Sequence, residues 1–340
     1  MKQQMNALIL TGGQGTRLRP FTLSTPKPLL PIVNQPFLSY QISLLKKHGI
    51  AQAVLCMADR TEPYQSFIRS EKKRGVTIYC SREMKPLGTA GALKNAEKFL
   101  NAPFIFCFNG DVMTDINLTE MIHFHQAKKA MITVSLAHVK DPSPYGLALL
   151  NSDRRIQKFI EKPKLETLKK SKSYLINAGT YLFDRSIFNR IPPGENYSVE
   201  NQLYPKCLND NIPVYGYITA PSTYWLDIGT PQKYSQANFD VVQNKLSNFV
   251  SPHSIKKIGA QTKIHPTAKI SFDTVIGKNC KIGARSQLNQ CIVLDHVTLE
   301  DDVVLDQCII GRYSKIAHHT VISELKCVGE HSVITSYSKL

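Results

Sequence analysis

The sequence predicts an α/β fold, a mostly parallel sheet flanked by helices, followed by a parallel β-helix. Two observations carry this. Short apolar runs alternate with stretches of helical spacing through the first two-thirds, and an apolar residue recurs at nearly every sixth position beyond residue 260. A chain of 340 residues, 42% hydrophobic and 20% charged, is long enough for about two domains and is not disordered as a whole.

Residues 6–10 are an apolar run that stops at Gly12 and Gly13, which predicts a strand and a tight turn. Over 36–48, Phe37, Tyr40, Gln41, Leu44, Leu45 and His48 share one helical face, with Gly49 as the stop. Residues 53–57 read as a strand. Residues 63–74 read as a helix that buries Tyr64, Phe67 and Ile68 and ends at Gly75, and 76–80 and 104–108 as further strands. This alternation predicts helices on both faces of the sheet. Ligands of such sheets sit beyond the carboxyl ends of the strands. The glycines after Leu10 and the turn Asn109-Gly110-Asp111 both fall there.

The last quarter has a different period. Ile264, Ile270, Ile276, Ile282 and Leu288 are six apart; after a five-residue step come Val293, Leu299 and Leu305; after another come Ile310, Ile316, Ile322, Val328 and Ile334. Neither a helix nor a hairpin array has this period. A hexapeptide β-helix does, with each of these residues pointing into a triangular prism. Gly277, Gly283, Gly311 and Gly329 follow such residues and are expected at corners that need a permissive backbone. The boundary falls at 245–260, after a helical stretch over 231–243.

Several classes are excluded. The longest apolar runs, 7–10 and 104–108, are far shorter than the ~20 residues of a membrane helix. No secretory signal opens the chain, so a cytoplasmic protein without a membrane partner is expected. The eight cysteines contain no CxxC pair and most lie in strand-like runs, which predicts reduced, buried thiols. The 42 Lys and Arg against 26 Asp and Glu give +16. The basic residues are scattered, with no aromatic-interleaved block. A polyanionic small substrate and a solvated surface account for the charge without a nucleic-acid partner.

The chemistry concentrates in LTGGQGTRLRP at 10–20. Small residues after a strand let backbone N–H groups approach phosphate oxygens. The segment is not a P-loop, since no GK[ST] ends it, and not GxGxxG, since Leu18 stands at the last glycine. Arg17 and Lys27 flank it with two cations. Pro26 and Pro28 restrict the Lys27 backbone and aim its side chain.

The run GGQGTRLRPFTLSTPKPLLPI resembles the signature of the sugar-nucleotide pyrophosphorylases, or nucleotidyltransferases. The resemblance continues in order through PLGTAG at 86–91, Asn109-Gly110-Asp111, Tyr145-Gly146, Glu161-Lys162-Pro163, Asn177-Ala178-Gly179 and WLDIGTP at 225–231. The hexapeptide tail resembles that of the mannose-1-phosphate guanylyltransferase subgroup. The resemblance implies a Rossmann-like nucleotidyltransferase domain over 1–245 and a left-handed parallel β-helix over 246–340. It implies transfer from a nucleoside triphosphate, GTP favoured, to a sugar 1-phosphate, mannose 1-phosphate favoured.

By the same resemblance Gly12, Gly13, Thr16, Gly88 and Asp111 bind the nucleotide, and Arg17 and Lys27 hold the triphosphate. Lys162 neutralises the sugar phosphate, and Gly146, Glu161 and Asn177 meet the sugar. Asp111 and Asp227 chelate Mg²⁺. Competing readings are UTP, dTTP or CTP with glucose 1-phosphate, GTP with a heptose 1-phosphate, a non-catalytic regulatory subunit, and acyl transfer on the solenoid. Trp225 is expected to pack, and Glu83 and Lys85 to sit in a solvated loop. His296, His318 and His319 are expected on the solenoid surface, and neither His123 nor His125 in a metal site. A homo-oligomer is expected, as is residual transfer by a chain ending near residue 245.

Overall fold

The computed structural model describes residues 5–58, 61–164, 166, 168, 173–246 and 255–340. In chain order its strands begin with β1 (Met5–Leu10), the short arms β2 (Pro31–Ile32) and β3 (Gln35–Pro36), β4 (Gln52–Ala58) and β5 (Thr77–Glu83). Then follow β6 (Phe104–Asn109), β7 (Val112–Thr114), β8 (Ile132–Val139), β9 (Gly146–Leu150), β10 (Ile156–Glu161), β11 (Tyr174–Asp184), β12 (Val214–Ile218) and β13 (Trp225–Asp227). The α-helices are α1 (Phe37–Lys47), α2 (Gln65–Lys73), α3 (Gly88–Asn95), α4 (Leu118–Ala127), α5 (Tyr204–Asn209) and α6 (Pro231–Val242). Packing divides the described residues into two units, one drawn from 1–13 and 44–225, the other from 14–43 and 226–340.

The first unit is built on a nine-stranded sheet. Its path runs β10-β9-β11-β6-β1-β4-β5, with β8 paired to β11 and β12 to β8. The stretch β6-β1-β4-β5 is wholly parallel, with Leu10 beside Asn109 on one side and Cys56 on the other. Ala7, Leu8 and Ile9 are fully buried in a row, as a strand covered on both faces requires. β11 runs antiparallel to β6, β8 and β9 and carries a register break between Asn177 and Tyr181. The core joins Leu8, Val54, Leu93, Ile105, Tyr181 and Phe183 across sheet and helices. All eight cysteines are free, and six of them are buried.

The second unit holds a left-handed parallel β-helix of three sheets, in which strands stack in register from coil to coil. Ile264, Ile282, Leu299, Ile316 and Ile334 line up on one face. Leu288, Leu305 and Ile322 line a second face, and Ile276, Val293, Ile310 and Val328 the third. The interior is the apolar series read from the hexads, joined by Cys280, Cys291 and Cys308.

The glycines do a different job from the one expected of them. Gly277, Gly283, Gly311 and Gly329 show no positive φ, and a Cβ on any of the first three would fall within 2.6 Å of the neighbouring coil's backbone. Those three are there because coils stack too closely for a side chain. The left-handed corners are occupied instead by Asn279, Arg285, His296, Asp302, Tyr313, His319 and His331, among others.

His125 is a core residue, 1% exposed, with Nδ1 2.8 Å from Thr133 Oγ1 and no partner for Nε2. Burial lowers its pKa from 6.5 to about 4. Between those values the unfolded chain binds a proton that the folded chain refuses. Stability therefore falls as pH drops through this window, by about 3 kcal/mol at most. Urea unfolding at pH 6.5 and 4.5 should show a smaller loss in His125→Gln than in the unaltered protein; equal losses would assign the acid sensitivity elsewhere.

Candidate active site

The carboxyl end of β1 and that of β6 are joined directly. Gly110 N–H donates to the Leu10 carbonyl at 2.9 Å, and a Cβ on Gly110 would lie 2.2 Å from that oxygen. Only glycine permits this approach. It places the Gly12-Gly13 turn next to Asp111, which is half-buried just past β6.

Gly12, Gly13 and Gly88 line one cavity of about 450 Å³ together with Leu10, Glu83, Pro86 and Leu87. Its size and apolar walls suit a planar base. Gly88 opens α3 at φ +68°, and a Cβ there would meet the Tyr197 carbonyl at 2.8 Å. Glu83 was expected in a solvated loop, but its strand end faces the cavity. Its Oε2 accepts from Leu87 N–H at 3.2 Å, and its Oε1 points at the Gly12 position. Burial raises the Glu83 carboxyl above its ordinary pKa, and the Leu87 N–H partly offsets that rise. Lys85 lines the same cavity but is exposed.

A second cluster in this unit gathers the residues expected to meet a sugar. β9 and β10 pair with Gly146 opposite Glu161, and a Cβ on Gly146 would lie 3.0 Å from Glu161 Oε2 and 3.8 Å from Asn177 Cβ. Lys162 N–H donates to the Tyr145 carbonyl at 3.0 Å, with φ at +45°. A lysine held in that region is strained, a cost that recurs where side-chain aim matters. Asn177 uses Oδ1 to accept from Gly179 N–H and Nδ2 to donate to Tyr181 Oη. Trp225 packs as expected, donating to the Ala178 carbonyl at 2.8 Å and meeting Tyr145 edge to face.

Glu200 was missed in the sequence. It accepts from Tyr181 Oη at 3.1 Å, Thr89 Oγ1 at 3.1 Å and Ser198 Oγ at 3.0 Å. It thus ties Asn177, through Tyr181, to the start of α3. Its Ser198 contact is local, a cap two residues away, but its Tyr181 and Thr89 partners lie 19 and 111 residues off, and no spacing along the chain marks them.

The second unit carries the remaining candidates. Thr16 and Arg17 form a 3₁₀ turn, and Lys27 begins another. Gly15, at φ +61°, leaves room for Thr22 and the Lys27 Cβ at 3.2 Å, and Thr22 Oγ1 donates to the Gly15 carbonyl. Arg17 Nη2 lies 2.9 Å from where a Cβ on Gly229 would be, and Asp227 Oδ2 3.1 Å from the same point. Arg17 and Asp227 therefore flank one glycine. Asp227 Oδ1 is also paired with Lys233 Nζ on α6, a second residue the sequence reading passed over.

Carboxylate oxygens such as those of Asp111 and Asp227 are the hard donors that Mg²⁺ takes one or two at a time, leaving positions for phosphates and water. Among the described residues no group of three or more His, Cys, Asp or Glu could hold a metal by protein ligands alone. Each of the two carboxylates by itself is a hard oxygen donor of the kind Mg²⁺ takes. Among the described residues no helix is long and apolar enough to cross a membrane.

Comparison with known proteins matches residues 6–244 to the nucleotidyl transferase family and 254–338 to the GMPPB C-terminal domain. A mannose-1-phosphate guanylyltransferase of Mycobacterium tuberculosis is 32% identical over 309 residues, 89% of this chain and 84% of that protein. Mannose-1-phosphate guanylyltransferase 1 of Arabidopsis thaliana is 34% identical over 340 residues, 96% and 91% of the two chains. Among solved structures, HddC of Yersinia pseudotuberculosis superposes with a TM-score of 0.59 at 26% identity, over 68% of this chain and 97% of that one. A putative glucose-1-phosphate thymidylyltransferase of Bacillus anthracis gives 0.60 at 26% identity, over 69% and 94%.

Gly229→Ala should displace the Arg17 guanidinium while leaving the fold intact, because the nearest atoms belong to movable side-chain ends. Calorimetric titration with pyrophosphate should show binding weakened about tenfold, the loss of one charge-assisted contact. Unchanged affinity would remove Arg17 from the phosphate site.

Proposed function

The chain belongs to the nucleotidyl transferase family, and we propose that within it the protein joins GTP to mannose 1-phosphate, giving GDP-mannose and pyrophosphate. The observation that carries the base is Glu83. Guanine alone presents two adjacent N–H donors, N1–H and N2–H, on its pairing edge. A carboxylate accepts both. Uracil and thymine place one N–H between two carbonyl oxygens, which a carboxylate repels. The sugar rests on the relatives named mannose-1-phosphate guanylyltransferase, together with Glu161 and Asn177 as partners for its hydroxyls. The retained Arg17, Lys27, Asp111, Lys162 and Asp227 favour an enzyme over a silent subunit.

A phosphate oxygen of mannose 1-phosphate attacks the α-phosphorus of GTP. A new P–O bond forms, the bond to the bridging α–β oxygen breaks, and pyrophosphate leaves with that electron pair. The nucleophile is already ionised, so no general base is needed. The obstacles are repulsion between anions and alignment. Arg17 and Lys27 bind the triphosphate and the departing pyrophosphate, and Lys162 binds the sugar phosphate. Gly12, Gly13, Thr16 and Gly88 let the nucleotide approach backbone donors, and Gly146 does so for the sugar. Asp111 and Asp227 are assigned to Mg²⁺, which supplies charge neutralisation between the phosphates when bound. A homo-oligomer belongs to the same proposal and is read by light scattering.

Glu83→Gln should lower kcat/KM for GTP at least tenfold, about 2 kcal/mol, and narrow its advantage over UTP and dTTP, because an amide offers one donor where guanine needs an acceptor. A pyrophosphate-release screen across nucleoside triphosphates measures this; an unchanged preference would remove Glu83 from base reading. Asp111→Asn and Asp227→Asn should each reduce Mg²⁺-dependent turnover by a hundredfold or more, with thermal unfolding unaltered. Normal rates that still require metal would reassign the ligands.

A further inference from the structure

The segment that carries Arg17 and Lys27 belongs, by packing, to the same unit as the solenoid. Its contacts there are polar and specific. Arg312 Nη1, in the solenoid turn between Ile310 and Lys315, donates to Thr25 Oγ1 at 2.6 Å and lies 3.2 Å from Glu330 Oε1. Glu330 Oε2 accepts from Ser24 Oγ at 2.6 Å. Pro20 rests 3.5 Å from the position a Cβ on Gly329 would take. The Arg312 and Glu330 side chains are 20% and 13% exposed, so this pair is largely withdrawn from water and unlike a freely solvated surface ion pair.

The far end of the segment is held too. The β2–β3 arms turn through Val33 and Asn34, both at positive φ. Val33 N–H donates to Asn238 Oδ1, Asn34 Nδ2 donates to the Lys256 and Ile276 carbonyls, and Tyr234 Oη donates to the Pro31 carbonyl. Ser24 and Thr25 immediately precede Pro26-Lys27. The Thr22–Gly15 bond links that stretch back to the turn bearing Arg17.

We propose that Arg312 and Glu330 are positioning residues for the transfer reaction: by clasping Ser24 and Thr25 they hold Lys27 and Arg17 where the triphosphate needs them. The solenoid is then a part of the phosphate site and not an appended module. The proposal rests on the nucleotidyl transfer assigned above. It also replaces the expectation that a chain ending near residue 245 retains transfer, since such a chain keeps the cations and loses the clasp.

The test uses the full chain with Arg312→Met, Arg312→Lys, Thr25→Val and the Arg312→Met/Thr25→Val pair. Each of Arg312→Met and Thr25→Val should lower kcat about tenfold to a hundredfold, the penalty of misplacing a catalytic group by about an ångström. KM for the sugar phosphate should hold, and Arg312→Lys should recover part of the loss. The double variant should be no slower than the slower single one, because both remove one interaction. Hydrogen exchange of amides 16–30 should accelerate in Arg312→Met. Full additivity of the two kcat losses, or unchanged kcat in both single variants, would overturn the proposal. If Arg312→Met does not fold, Thr25→Val alone decides, with normal kcat as the overturning result. If the unaltered protein transfers no nucleotide at all, the assigned reaction fails. Exchange over 16–30 then decides separately, and unchanged protection in Arg312→Met would overturn the clasp.

Discussion

The hydrogen bond from Gly110 N–H to the Leu10 carbonyl, made where no Cβ fits, is the contact on which the first unit's arrangement depends. Parallel pairing of β1 and β6 brings the two strand ends level. The missing side chain lets the chain leaving β6 pass against the end of β1. A glycine turn and a carboxylate then share one end of the sheet. The close packing of Gly179 on Asn109, with 2.8 Å between a would-be Cβ and Nδ2, brings β11 and its Asn177 to the same end.

Charge explains how the remaining residues are chosen. Both proposed reactants are phosphate anions, so the chain has to supply cations and oriented N–H groups more than acids or bases. A net charge of +16 is consistent with that demand. The first unit carries Glu83, Glu161, Asn177 and Lys162, and the second carries Arg17, Lys27 and Asp227, the last paired with Lys233. Polyphosphate binding depends on the exact direction of long, flexible side chains, whose rotamer freedom costs free energy to restrain. The contacts made at Thr25, Pro31, Val33 and Asn34 restrain the segment that bears them.

The solenoid shows how a repeat module can acquire such a task. Its interior is uniform, from Ile264 to Ile334, and its stability comes from neighbouring coils. Its outer face is free to vary. Arg312 and Glu330 lie on adjacent coils, as does the ring stack of His296, Tyr313 and His331. Regular coil spacing sets side chains one above another, so two residues eighteen positions apart can act on one loop.

Periodicity and local chemistry were enough to determine the alternating α/β order, the hexad interior with its two short steps, and the glycine and cation motifs. These are legible in a sequence because strand and coil spacing are local and because a phosphate site needs small residues beside basic ones. What only the tertiary structure decided is which distant groups meet. Glu83 reads as a loop carboxylate until the cavity closes around it. Glu200 is silent until Tyr181 and Thr89 reach it from β11 and α3. Gly277, Gly283 and Gly311 look like turn residues until the next coil is seen lying on them. Arg312 and Thr25, 287 positions apart, meet only in the folded chain. Such contacts are set by how whole elements pack, and no spacing along the chain encodes them.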